Sequence, residues 1–314
     1  MDNPRIFYIT DNTSTPTGGG LIARRHVKIL VDNGFDAMLL LRRDMGPTFF
    51  DIDVPSVPWT EDFVTRSTDI YVIPEPWNDQ LLAFKDRDCR KVVFCQNHHY
   101  IFYGIGRGES YEKSYGVSTV FCCGDVIAEY LRNSLGYQRV PVVHNGIDLD
   151  LFKPRVKRRV IAYMPRKMTV ESTFIRGTFR CRHPQYKNVP WIGIHDLPQS
   201  EVARILGESA VFLSLGKLEG VGLPPLEAMA AGCFVVGFKG DGGREFATDD
   251  NGFWCDAEDL VSCADQLARA MSLCEQPNEE TRRRRAAMRQ TVNGYTLDRM
   301  AAELLAFWRE EIRL

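Results

Sequence analysis

Short apolar runs recur along this 314-residue chain, and amphipathic stretches follow them. RIFYIT (5–10), AMLLLR (37–42), DIYVIP (69–74), KVVFCQ (91–96) and STVFCC (118–123) read as strands. In the stretch LIARRHVKILVDNG, Leu21, Ile22, Val27, Ile29 and Leu30 mark a helix that stops at Asn33-Gly34, and DVIAEYLRNSLG (125–136) is a second helix ending on glycine. Near-continuous apolar strands joined by helices pair in parallel, because consecutive parallel strands need a long crossover. The alternation resumes after a basic stretch, RVKRR (155–159). VIAYMP (160–165), VFLSL (211–215) and CFVVGF (233–238) are strands; EVARILGES (201–209), PPLEAMAAG (224–232), LVSCADQLARAMSL (260–273) and YTLDRMAAELLAFWREEI (295–312) are helices. The expected fold class is α/β, with two Rossmann-like, doubly wound domains facing a central cleft. Residues 1–152 form the first domain, 153–294 the second, and 295–314 a final helix.

Length and composition agree with two cores. The hydrophobic fraction is 44% and the charged fraction 25%. A formal net charge of -2 provides no global basic field for nucleic acid, so no nucleic-acid partner is expected. None of the nine cysteines forms a C-x-x-C pair, and several lie within apolar runs, which predicts buried free thiols. No basic leader with an apolar core opens the chain, and no apolar run reaches membrane-spanning length. The expected location is cytoplasmic, with peripheral membrane contact left open.

The richest segment is VFLSLGKLEGVGLPPLEAMAAGCFVVGF (211–238). A buried strand runs into a loop carrying Gly216, Gly220 and Gly222, and a helix opens at Pro224-Pro225. Ligands of open α/β sheets bind beyond the carboxyl ends of strands. Glycines admit close backbone approach, and the N–H groups of a helix N-terminus attract phosphate. Two carboxylates flank this turn: Glu219 in the loop and Glu227 in the first helical turn, with seven residues between them. A helix-dipole contribution alone explains a single such carboxylate. Two of them around a phosphate-competent turn point to a diphosphate-linked ligand.

EGVGLPPLEAMAAGC resembles the signature of the retaining glycosyltransferases of family 4, members of the GT-B, "group 1" superfamily related to glycogen synthase and phosphorylase. HNGIDLDLFKP (144–154) resembles the family's interdomain signature, and GDGGREF (240–246) resembles its second glycine-rich turn. The resemblance implies that Glu227 bonds the donor ribose, that Glu219 lies by the donor sugar, and that backbone groups at Gly220, Gly222 and Leu223 hold the diphosphate. It implies that Arg166 and Lys167, in YMPRK (163–167), neutralise the phosphates and the leaving group. Their adjacency leaves Arg176 as an alternative to one of them. Gly19 and Gly20, in the glycine-rich turn Thr17–Gly20, would approach the transferred sugar. QNHHYIFYG (96–104) brings two histidines and aromatics to a strand end, a suitable place for a sugar; His98 is favoured over His99 on the resemblance. EPWNDQ (75–80) offers Glu75 and Trp77 as acceptor-site groups or as a packed loop.

Three other signals are set aside. D-x-D occurs at Asp51–Asp53 and Asp148–Asp150 without the context of a metal site, so no metal is expected. Arg282–Arg285 reads as a solvated helix face, and Gly104-x-Gly106-x-Gly108 as a mobile acceptor loop. The resulting expectation is a retaining, metal-independent glycosyltransferase. It would take a nucleotide-diphosphate sugar, UDP- or GDP-linked, as co-substrate and need no other cofactor. Its acceptor would be a glycan, a lipid-linked molecule or a small metabolite; oligomeric state is not legible. The rivals are a GT-B sugar-nucleotide epimerase, an inactive partner subunit, and an NAD-dependent oxidoreductase, which lacks its dinucleotide fingerprint.

Overall fold

A computed structural model describes residues 4–12, 17–44, 50–165 and 168–313. The chain divides into two compact units, Met1–Asn145 with Asp298–Leu314, and Gly146–Leu297. The first change of unit therefore falls at Asn145/Gly146 rather than at 152/153, and the second at Leu297/Asp298 rather than at 294/295.

In the first unit the order is β1 (Ile6–Asn12), α1 (Gly18–Asp32), β2 (Ala37–Asp44), β3 (Ser56–Pro58), β4 (Ile70–Pro74), α2 (Asn78–Phe84), β5 (Arg90–Cys95), α3 (Ile101–Gly104), α4 (Tyr111–Tyr115), β6 (Thr119–Cys122) and α5 (Asp125–Leu135). The strands form one parallel sheet ordered β3-β2-β1-β4-β5-β6. The order reverses between β1 and β4, so the loops leaving those two strands diverge at a switch point. In the second unit β7 (Arg158–Tyr163), α6 (Thr169–Arg182), β8 (Trp191–Gly193), α7 (Gln199–Glu208), β9 (Ser209–Ser214), α8 (Leu223–Ala230), β10 (Phe234–Gly237), β11 (Phe253–Trp254), α9 (Leu260–Glu275) and α10 (Glu279–Val292) follow, and α11 (Leu297–Glu311) closes the chain. This sheet is ordered β11-β10-β9-β7-β8, also parallel, and its switch point lies between β7 and β9.

The apolar runs become the buried strands: β9 and β10 are buried along their whole length, as are Ile6 to Ile9 of β1. Val142 forms an isolated parallel bridge with Cys122. Among the elements that the apolar pattern does not announce are β3, β8 and β11, which are only two or three residues long, and α6. Helix α6 buries Ser172, Ile175 and Phe179, but it carries exposed Val170 and Phe174 and a central Gly177, which blur its periodicity.

Several polar groups inside the cores find partners. Trp308 of α11 donates from its indole N–H to the Tyr8 hydroxyl at 3.1 Å, and His26 lies 3.2 Å from the same oxygen. Burial, aided by nearby Arg25, drives the His26 imidazole down to about 3, so it is neutral in the core. Glu311, fully buried, accepts through its Oε1 from Arg90 at 2.6 Å and from the Thr119 hydroxyl at 2.7 Å, while Arg139 lies 3.8 Å from its Oε2. In the second unit the Lys157 ammonium donates to Leu206 and Ala231 carbonyls, 3.0 and 2.6 Å away, at the C-terminal ends of α7 and α8, where a cation complements the helix dipoles. Arg284 departs from the solvated reading of the Arg282–Arg285 run. It is buried, donates to the carbonyls of Asp249 (2.7 Å) and Gly252 (3.1 Å), and lies over Phe253. All nine cysteines are free thiols, and Cys95, Cys122, Cys123, Cys233 and Cys263 are buried. Among the described residues no helix is long and apolar enough to cross a membrane.

Gly177 offers a check on this account of α6. A Cβ there would meet nothing within 4 Å. Gly177→Ala therefore gains helix propensity without a clash and should stabilise the chain by about 0.5–1 kcal/mol. Urea denaturation measures this, and a destabilised variant would contradict the helical placement.

Candidate active site

The second-unit site is built on the ends of β9 and β10. At the end of β10, Gly237 has φ +125°, and a Cβ there would stand 2.0 Å from the Ser214 carbonyl oxygen. The Phe238 N–H donates to that oxygen at 2.8 Å, and the Ser214 hydroxyl donates back to the Phe238 carbonyl at 3.1 Å. Further out, a Cβ on Gly242 would stand 2.0 Å from the Gly220 carbonyl oxygen, and the Gly242 N–H donates to the Glu219 carbonyl at 3.1 Å. The loop after β9 and the loop after β10 are thus fastened backbone to backbone, through positions where only glycine fits.

Helix α8 opens on this platform. Its N-cap is Gly222 with φ +83°, a conformation that side chains rarely adopt. Pro224 and Pro225 carry no N–H, so of the orphan donors at this N-terminus only those of Gly222 and Leu223 exist, and neither has a protein acceptor among the described residues. The prolines cost the helix nothing at these positions and leave two amides directed at the same end. The side chain of Glu219 folds back over Gly216, where a Cβ would stand 2.7 Å from Glu219 Cγ, and its own Cβ lies 3.9 Å from the position of a Cβ on Gly222. Glu227 is buried at 7% exposure. It is the fifth residue of α8, in the second turn rather than the first, because the helix begins at Leu223 and not at the prolines. Glu219, Gly220, Gly222, Leu223 and Glu227 therefore share one strand–loop–helix corner. Arg166 and Lys167 lie outside the described residues. Arg176 sits half-buried in the middle of α6.

The first-unit residues gather at the ends of β1, β4 and β5. Gly18, Gly19 and Gly20 are the first turn of α1 itself, not a turn ahead of it, because Thr17 is extended and its hydroxyl caps the helix by accepting from the Gly20 N–H at 3.1 Å. A Cβ on Gly19 would stand 3.2 Å from the side-chain nitrogen of Gln96, so this glycine lets the residue after β5 come close. Asn97 accepts from the His99 N–H at 3.1 Å and caps a short 3-10 turn, His98–Tyr100. His98 is buried at 4% exposure, with its ring centroid 4.1 Å from that of His99 and 5.0 Å from that of Tyr130 on α5. His99 is the more exposed of the two.

Two residues in the neighbouring loop differ from an open acceptor platform. Arg42, itself paired with Asp11 and Asp79, lies 4.0 Å over Trp77 and occupies one face of the indole. Glu75 is turned inwards at 3% exposure, and its two oxygens accept from the Gln96 and Asn97 N–H groups, each at 3.1 Å. Gly104 belongs to the same packing. A Cβ on it would stand 1.9 Å from the Glu75 carbonyl oxygen, and its own carbonyl accepts from Asn78 at 2.7 Å, so this glycine is fixed rather than part of a mobile loop. The anchoring roles of Glu75, Asn97 and Gln96 were not legible in sequence, since each depends on which strand ends become neighbours.

Residues 187–289 match the family model described as glycosyl transferases group 1. The chain is similar to an alpha-1,6-glucosyltransferase of Actinobacillus pleuropneumoniae serotype 7 (strain AP76). The two are 26% identical over 270 residues, which cover 81% of this chain and 80% of the relative. Among solved structures it is similar to a glycosyltransferase from Rickettsia africae, at 14% identity and a TM-score of 0.70, covering 99% of each chain. It is similar to the sucrose-phosphate synthase of Thermosynechococcus elongatus, at 12% identity and 0.73 over 99% of this chain and 100% of that one. It is also similar to Anabaena HepE in complex with UDP and glucose, at 14% identity and 0.71 over 98% and 100%. The fold is GT-B, with two Rossmann-like domains. The protein is a glycosyltransferase, and residues 187–289 carry its likeness to the group 1 model.

The inward Glu75 generates a pH test. Burial raises its carboxyl to about 7 from 4.5, against the pull of the Gln96 and Asn97 N–H groups. Tyr111 and Cys95, both buried, are the titratable neighbours, and burial raises both of them. A pKa raised on folding contributes stability that is complete below about pH 4.5 and is lost as pH rises through 7. Glu75→Gln has no such proton to lose. Its stability should therefore gain on the parent by up to about 3 kcal/mol between pH 4.5 and 8 in urea denaturation. A gap that stays constant with pH would contradict the raised carboxyl.

Proposed function

We propose that the protein is a retaining, metal-independent hexosyltransferase that moves glucose from UDP-glucose to an acceptor hydroxyl. The observation that carries this reading is the corner at the end of β9, where buried Glu227, Glu219 and the paired amides of Gly222 and Leu223 converge. In this reading the two amides hold the diphosphate, Glu227 bonds the ribose hydroxyls, and Glu219 orients the sugar ring. The Gly220 carbonyl oxygen is the contact against which Gly242 packs, and it brings the two glycine loops together. Arg166 and Lys167 supply positive charge to the departing diphosphate. Gly19, Gly20 and His98 serve the transferred sugar.

The choice of glucose and of UDP follows the alpha-1,6-glucosyltransferase relative and the UDP and glucose of the Anabaena structure. An α-linked product from an α-configured donor is net retention. The bond from the anomeric carbon to the β-phosphate oxygen breaks, and the bond to the acceptor oxygen forms on the same face. The acceptor proton passes to the leaving phosphate. The acceptor is a glycan hydroxyl, with lipid-linked and small-molecule alcohols as the other arms of the assay.

Two variants separate the roles. Glu227→Ala should weaken UDP binding in calorimetry by roughly tenfold to a hundredfold, the loss of a charge-assisted hydrogen-bond pair. Glu219→Ala should lower turnover with a much smaller change in UDP affinity. Unchanged UDP affinity in Glu227→Ala would sink the ribose assignment. Activity in the presence of chelator should persist, and its loss would overturn metal independence. Slow hydrolysis of UDP-glucose to UDP separates this reading from an epimerase, which interconverts sugars, and from an inactive subunit, which does neither.

A further inference from the structure

The loop after β4 holds a buried carboxylate that no part of the donor corner uses. Glu75 has no Lys or Arg ion-pair partner among the described residues, yet it is 3% exposed. An uncompensated buried carboxylate is expensive, and a structural hydrogen bond alone needs only a neutral acceptor. A carboxylate offers what a neutral amide does not: two equivalent oxygens, which here accept from two consecutive N–H groups, Gln96 and Asn97, each at 3.1 Å.

The place of those two bonds matters. The paired register of β4 and β5 ends at Pro74 and Phe94. The Glu75 side chain continues the ladder beyond it and takes the place of a backbone partner. Its own backbone is held still, with the Tyr111 hydroxyl donating to the Glu75 carbonyl at 2.7 Å and Gly104 packed against the same oxygen. Everything downstream hangs from this anchor. Gln96 directs its side chain at Gly19, and Asn97 caps the turn that carries His98 and His99.

We propose that Glu75 is a positioning residue for glycosyl transfer: by clamping the Gln96 and Asn97 amides it sets the direction of the His98–His99 turn and of Gln96 opposite Gly19. The proposal rests on the glycosyl-transfer reading above and adds to it a residue that touches neither donor nor acceptor. Misplacement of a site segment by an ångström costs turnover out of proportion to stability.

The test uses the full chain and Glu75→Gln, which keeps the side chain's size but loses one acceptor oxygen. Three quantities are measured: UDP-glucose turnover, UDP affinity by calorimetry, and site-resolved hydrogen exchange. The expected result is a fall in kcat of roughly tenfold to a hundredfold, with KM for UDP-glucose and UDP affinity changed by no more than about threefold. The Gln96 and Asn97 amides should exchange about tenfold faster, with exchange at Val92 to Phe94 unaltered and a melting temperature no lower than the parent's. Unchanged exchange at Gln96 and Asn97 overturns the clamp. Faster exchange with unchanged kcat in an active parent overturns its part in turnover. A loss of kcat that merely follows a lower melting temperature and lower UDP affinity overturns it in favour of general destabilisation. A parent chain that turns over no UDP-glucose, but shows the exchange difference, overturns the functional reading and leaves Glu75 as a structural clamp only.

Discussion

Two carbonyl oxygens govern the geometry of the second unit. Those of Ser214 and Gly220 occupy space that a Cβ at positions 237 and 242 would need, with separations of 2.0 Å in both cases. This contact makes one body of the loops after β9 and β10. The rest of the corner inherits its precision from that. Gly222 turns with φ +83°, which its lack of a Cβ allows, and α8 begins where that turn ends. The prolines at its start then remove two of the N–H groups, leaving those of Gly222 and Leu223 for a ligand. A site built on such backbone contacts is preorganised, so little ordering remains to be done when an anion arrives.

The first unit solves a related problem with side chains. Its strand ends are tied by carboxylates, amides and hydroxyls: Glu75 on Gln96 and Asn97, Asn97 on the turn after β5, Asn78 on Gly104, and Arg42 between Asp11 and Asp79. Side-chain ties are softer than glycine–carbonyl contact, and a carboxylate among them adds a proton-dependent element. At its core, α11 is bound through Trp308 to Tyr8 and through Glu311 to Arg90 and Thr119, so the end of the chain completes the unit in which the chain began.

Strand positions were legible because burial on both faces demands unbroken apolar runs, and those of β1, β4, β5, β9 and β10 are of that kind. The short edge strands β3, β8 and β11 were not, since two or three residues carry no period. Helix α6 stayed hidden behind exposed Val170 and Phe174 and the break at Gly177. The start of α1 was misread as a glycine turn because glycine propensity argues against helix, and only the Thr17 cap overrides it. Arg284 was read as solvated within a run of four arginines. The carbonyls of Asp249 and Gly252 that bury it are more than thirty residues away.

The sequence by itself determined the parallel α/β architecture and the corner that bears Glu219, Gly220, Gly222, Leu223 and Glu227. Both are local: each is written in contiguous residues, whose apolar runs and glycine and proline positions suffice to specify a strand, a loop and a helix start. Only the tertiary structure decided that Glu75 turns inwards, that Trp77 has one face covered by Arg42, and that Gly104 and Gly242 are glycines for want of space. The physical reason is the same in each case. A carboxylate's partner, an aromatic face's cover and a missing Cβ's obstacle are contributed by other strands' loops, and those loops meet only when the parallel sheet brings the strand ends to one edge.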